Sequence, residues 1–105
     1  MQLQPIPFEK IKAGTKTIEI RLNDEKRKRI CVGDTVVFTH AHTDEVLPTT
    51  VVGLHHSASF AELYDAFPAA SYGGNGNDDP AAMYEYYSPE DEAAFGVLGI
   101  ELELN

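Results

Sequence analysis

What the chain lacks narrows it first. There is no tryptophan and only one cysteine, Cys31, so no disulfide can form within the chain and the fold must rest on a packed core. Such thiol usage suits a reducing compartment, and the expected location is cytoplasmic. No apolar run approaches the roughly 18 residues that a membrane span needs. The opening Met1-Gln2-Leu3-Gln4-Pro5 has neither the basic nor the apolar region of a signal peptide. A membrane is therefore not an expected partner. No Cys pair, H-E-x-x-H or phosphate-cradling G-x-x-x-x-G-K-[ST] is present, so no cofactor is expected, and no metal either. His40 and His42 share a strand-face spacing and His55-His56 follows, but no supporting ligand motif accompanies them.

Cations are also missing from most of the chain. The net charge is −9, which by itself argues against a nucleic-acid partner, because phosphate binding is mostly cation pairing with counterion release. Their distribution reverses that inference. All eight Lys and Arg lie between Lys10 and Arg29, where only Glu19, Asp24 and Glu25 oppose them, a local balance of +5. Residues 31–105 carry thirteen acids and no Lys or Arg. Charge segregated this way can steer an anion to one part of the surface.

What is present fits one domain spanning 1–105. At 105 residues and 43% hydrophobic, the chain is long enough for one real core and short for two. Pro7 and Gly14 bracket a short helix. Gly14 leads into Thr17-Ile18-Glu19-Ile20-Arg21-Leu22, whose alternation is that of a strand with one face in a core. Its polar face is either a solvated edge or the floor of a site. Asn23 or Asp24 can cap a second short helix running to about Ile30.

After the Val32-Gly33-Asp34 turn, Thr35–His40 and Val46–Leu54 read as paired strands. Residues 57–67 take a helical period with Ser59 and Glu62 placed as a capping box. The glycine- and asparagine-rich stretch 68–79 reads as a surface loop, and Tyr72 beside it could belong to a lid. Pro80 and Ser88-Pro89 open two further helices. Val97–Leu104 is a closing strand. Few strands, widely separated, leave exposed edges unless the sheet curls, so a small closed or nearly closed barrel is expected.

Gly14-x-Lys16-Thr17-Ile18-Glu19-Ile20-Arg21-Leu22, then Asp24-Glu25-Lys26-Arg27, Ile30-x-Val32-Gly33-Asp34, Ser59-Phe60, Tyr87-Ser88-Pro89-Glu90-Asp91-Glu92, Phe95-Gly96-Val97 and the Ile100-Glu101 strand together resemble the ASCH domain family. The resemblance implies an α+β fold, a PUA-like small β-barrel with short flanking helices. It also implies a cleft rimmed by the G-x-K-x-x-E-x-R motif, and RNA or a nucleotide-like molecule as ligand. Some relatives deacetylate a modified cytidine with a lysine, a threonine three residues later and a distant glutamate. Lys16 matches that lysine, Glu19 stands in the threonine's place, and Glu62 is the nearest match to the glutamate. Thr17 does not replace the missing threonine, because neighbours on a strand point to opposite faces. Other relatives are proposed to cut single-stranded RNA, for which Lys16 and Glu19 would be the catalytic pair and Arg21 a charge stabiliser.

The candidate ligand-binding residues are accordingly Lys16, Thr17, Glu19, Arg21, Lys26, Arg27, Ser59 and Tyr87. Lys26 and Arg27 would meet phosphate. Ser59 caps a helix whose free amides could receive one. Tyr84, Tyr86 or Tyr87 could stack on a base. The expected function is an RNA- or nucleotide-binding protein. The alternatives are a hydrolase acting on single-stranded RNA or a modified nucleoside, and a protein-interaction module that meets a basic partner. The oligomeric state is left open by the sequence.

Overall fold

The structure is a computed structural model describing residues 1–105. Its elements in chain order are β1 (Gln2–Leu3), α1 (Pro5–Lys12), β2 (Ile18–Leu22), β3 (Thr35–His40), β4 (Val46–Ser57), α2 (Phe60–Ala66), α3 (Pro89–Phe95) and β5 (Val97–Leu104). Short 3₁₀ turns occupy Arg27–Arg29, Ala69–Tyr72 and Pro80–Glu85. No helix is long and apolar enough to cross a membrane.

The five strands form one mixed sheet in the order β1-β3-β4-β5-β2. β1 joins β3 in parallel, and the other neighbours are antiparallel. β4 is long enough to pair with β3 through its first half and with β5 over most of its length, and a bulge between Val51 and Gly53 bends it on the way. Such a bulge adds local twist, and the sheet curls into a half-barrel. β1 and β2 are left as its two edges. The barrel expected from the sequence is thus open on one side, with one contact across the gap: Arg21 on β2 donates from Nη2 to the Gln2 carbonyl on β1 at 3.2 Å.

Two apolar clusters lie on opposite faces of this sheet. Phe8, Phe38, Val51, Leu98, Ile100 and Leu102 fill the concave side under α1. Ile18, Ile20, Leu22 and Val97 pack outward against Phe60 and Leu63 of α2. A Cβ at Gly99 would sit 3.3 Å from both Ile18 and Leu63, so the bare glycine lets α2 lie close to the sheet. Covering a fully buried Leu or Phe side chain contributes about 2–3 kcal/mol, and these residues anchor the fold on both faces.

One expected helix does not form. Residues 24–30 make only the turn Arg27–Arg29, with the Asp24 carboxylate accepting from the Arg27 amide at 3.0 Å. Lys26-Arg27-Lys28-Arg29 offers four adjacent like charges and no apolar stripe to bury, so tertiary packing cannot support a helix there. The segment opening at Pro80 is likewise a 3₁₀ turn. The strands at 35–40 and 97–104, and the caps at Ser59 and Ser88, lie where the pattern puts them.

Candidate functional site

β2 explains why the site exists. Its cross-strand partners place Glu19 opposite Ile100 and Arg21 opposite Leu98, both concave-side core residues. The outward face is already taken by Ile18, Ile20 and Leu22 packing on α2. The polar face therefore turns into the half-barrel, where it meets the gap between the two sheet edges. Lys16 and Glu19 are only 9% and 5% exposed, a depth at which a lone charge is costly.

The charges are paired with one another. Glu19 accepts from Lys16 Nζ at 2.9 Å through Oε1, and from Arg21 Nη2 at 3.0 Å and Nε at 3.3 Å through Oε2. One carboxylate between two cations leaves a surplus of one positive charge. An ammonium has three N–H donors and a guanidinium five. Lys16 uses one donor on Glu19, and Arg21 Nη1 has no partner within the protein. The floor is thus buried, cationic and not saturated with acceptors.

Above it is a cleft of about 410 Å³ whose walls include Gln2 and Gln4 from the β1 segment, Met83, Tyr86 and Tyr87. Tyr86 is 74% exposed. Tyr87 is half-buried and stacks on Phe60 with ring centroids 5.6 Å apart. The stem of Lys16 also borders a smaller cavity of about 240 Å³ on its other side, shared with Thr17 and Thr49. The 68–79 loop closes over that stem. Thr17 donates its amide to the Ser71 carbonyl at 2.8 Å, and Lys10 Nζ donates to the Gly73 carbonyl at 2.7 Å. Gly73 has φ of +87°, and a Cβ there would come within 3.1 Å of Lys16 Cδ, so this glycine answers both to its backbone and to the lysine beneath it.

The structure brings Lys16, Glu19, Arg21 and Tyr87 together in one cleft. Thr17 belongs to the smaller cavity. Lys26 and Arg27 lie outside the cleft lining; Arg27 is tied to Asp24 at 3.1 Å, whereas Lys26 is exposed without an ion-pair partner. Burial, and then the charges of Arg21, Lys26 and Arg27, hold the Met1 amino group below its ordinary value. Ser59 does not line the cleft. Its hydroxyl accepts from the Glu62 amide at 3.1 Å, and the Phe60 amide is taken by Glu92 at 2.9 Å. Glu62 accepts from the Ala58 amide at 3.1 Å, also away from the cleft.

The pattern of the ASCH domain matches residues 1–105. The chain belongs to the ASCH domain family. Among solved structures, this ASCH protein is similar to the crystal structure of hypothetical protein PH0355 at 32% identity and a TM-score of 0.83, covering 100% of this chain and 96% of that one. It is also similar to the solution structure of protein PF0455 from Pyrococcus furiosus at 30% identity and a TM-score of 0.70, covering 99% and 94%. No curated protein matches. The α+β, PUA-like architecture of the ASCH family is therefore the architecture of this chain, in its half-barrel form.

Sequence reasoning missed Gln2, Gln4 and Met83 as parts of the cleft. Gln2-Leu3-Gln4 alternates for three residues only, too few for a period to register. No local signal marks β1, because its partner β3 lies more than thirty residues downstream.

Proposed function

We propose that this ASCH protein binds RNA or a nucleotide-like ligand in the cleft between β1 and β2. Lys16, Glu19 and Arg21 form the floor, and Tyr86 and Tyr87 offer faces on which a base can stack. The observation that supports this most is the surplus positive charge on a buried floor with unused donors, in a protein whose net charge is −9. Such donors suit an anion or a carbonyl, because a hydrogen bond from a charged donor is among the stronger kinds. Lys26 and Arg27, outside the cleft lining, add to the cationic segment that a phosphate would meet, and the family supports RNA as the broader ligand class. Each Glu19 oxygen already accepts from a cation, which favours holding a ligand over abstracting its proton.

The test is fluorescence anisotropy with labelled single-stranded RNA across a salt series. Arg21→Ala is expected to weaken binding roughly tenfold and to flatten the salt slope by about one, the signature of one lost phosphate contact. Binding that ignores salt, or no binding to any RNA or nucleoside, would refute the reading. Gel analysis of the same samples separates binding from turnover. Product formation lost in both Lys16→Ala and Glu19→Gln would replace it with a hydrolase.

A further inference from the structure

Glu92 on α3 is the second buried carboxylate of the molecule, 8% exposed, and no cation pairs with it. Its Oε2 accepts from the Phe60 amide at 2.9 Å and its Oε1 from the Tyr84 hydroxyl at 2.7 Å. One side chain thus joins three segments: the first turn of α2, α3 itself, and the 3₁₀ turn Pro80–Glu85. That turn carries Met83 and leads straight to Tyr86 and Tyr87, the wall of the cleft.

The turn's own hydrogen bonds are local. Asp79 caps its start by accepting from the Ala81 amide at 2.9 Å, and the Tyr86 and Tyr87 amides both return to the Met83 carbonyl at 3.0 Å. None of these bonds connects it to another element. Its ties to the body are the packing of Met83 and Tyr87 on the outer apolar cluster, which includes the Tyr87–Phe60 stack, the edge-on Phe60–Tyr84 contact at 6.5 Å, and the Tyr84–Glu92 hydrogen bond. The aromatic contacts and the hydrogen bond converge on Phe60 and on the carboxylate that takes its amide. The bond to Glu92 is the one hydrogen bond that joins the turn to another element.

We infer that Glu92 and Tyr84 are positioning residues for the cleft. Neither lines it; together they set where Tyr86 and Tyr87 stand above the Lys16–Glu19–Arg21 floor, and so how well a ligand is held. The link to ligand rests on the binding reading above, whereas the tether itself does not.

The experiment is amide hydrogen exchange followed by mass spectrometry, paired with anisotropy on a fluorescein-labelled oligouridylate, for wild type, Tyr84→Phe, Glu92→Gln, Glu92→Ala and Ser59→Ala. Tyr84→Phe is expected to speed exchange over residues 82–87 about five- to tenfold, the worth of one lost hydrogen bond, while β2 and β5 keep their protection. Its affinity for the RNA should fall by a similar factor. Glu92→Gln, which keeps one carbonyl acceptor, should retain more of both than Glu92→Ala. Ser59→Ala removes a different α2 cap and should leave residues 82–87 and the affinity unchanged. Exchange at 82–87 unchanged in Tyr84→Phe, or raised equally in β2 and β5, overturns the tether. Faster exchange with unaltered RNA affinity overturns the positioning role. If wild type binds no RNA, the binding reading and the positioning role both fail, and the exchange data still decide the tether.

Discussion

Glu19 and Glu92 are both almost inaccessible to water, yet the protein surrounds them in opposite ways. Glu19 sits between Lys16 and Arg21 at the gap between two sheet edges. Glu92 sits behind the sheet, held by a backbone amide and a phenol. Two cations around one anion leave charge and donors unspent, and this happens where a cleft opens. Neutral donors around one anion satisfy its oxygens without offsetting its charge, and this happens where three segments must be joined. The general lesson is that buried charge points to a ligand when its surroundings overcompensate it, and to architecture when they merely satisfy it.

Substitutions that remove each carboxylate should separate the two most clearly. Glu19→Ala leaves two buried cations facing each other, and the expected loss is about 3–5 kcal/mol, seen as a lower urea midpoint. If instead the variant is as stable as wild type, the cations are free to reach solvent and the floor is not preorganised. Glu92→Ala should cost less, about 1–3 kcal/mol, since it strands an amide and a hydroxyl rather than two charges. A loss as large as that of Glu19→Ala would erase the distinction.

Ser59→Ala probes the neighbouring cap alone, and about 1 kcal/mol is expected in the same denaturation series. Its binding curve for RNA should overlay that of wild type. Weaker binding would restore Ser59 as a ligand contact.

The smallest effect concerns alkaline pH. The hydrogen bond to Glu92, followed by burial and the charge of Glu92, raises the Tyr84 hydroxyl above its ordinary 10.0. A group whose pKa is higher in the folded state stabilises the fold fully below its unfolded value. That contribution disappears as pH rises through the folded value. Stability measured from pH 9 upward should therefore decline less steeply in Tyr84→Phe than in wild type. Tyr64 and Tyr72, both also raised chiefly by burial, should keep part of the decline in the variant. Identical alkaline limbs would show that the Tyr84–Glu92 bond does not persist in solution.

Much of the fold was readable along the chain. Thr35–His40 and Val97–Leu104 announce themselves by β-branched composition and alternation, and Ser59 and Ser88 by the spacing of acids after a cap. The run Lys26–Arg29 was misread as helical because an N-cap signal was present while the apolar stripe that would hold a helix was not. At the site, Lys16, Glu19 and Arg21 were legible through their motif, and Glu19 and Arg21 also through their shared strand face. The β1 wall and Met83 were not, because they reach the cleft through contacts distant in sequence. Ser59 drew notice as a possible anion site, but the Phe60 amide of that helix start already has its acceptor, supplied by Glu92 from thirty-two residues away.

By itself the sequence determined that Ile18, Ile20 and Leu22 share one face and Glu19 and Arg21 the other, since a strand's period of two leaves no freedom in that. It determined as well that every cation would lie on or near that strand. Which face would be dry was a tertiary decision. α2, admitted close to the sheet by Gly99, claimed the apolar face. The curl of the sheet then enclosed the charged face, and a strand edge that solvent could have covered became the floor of a cleft.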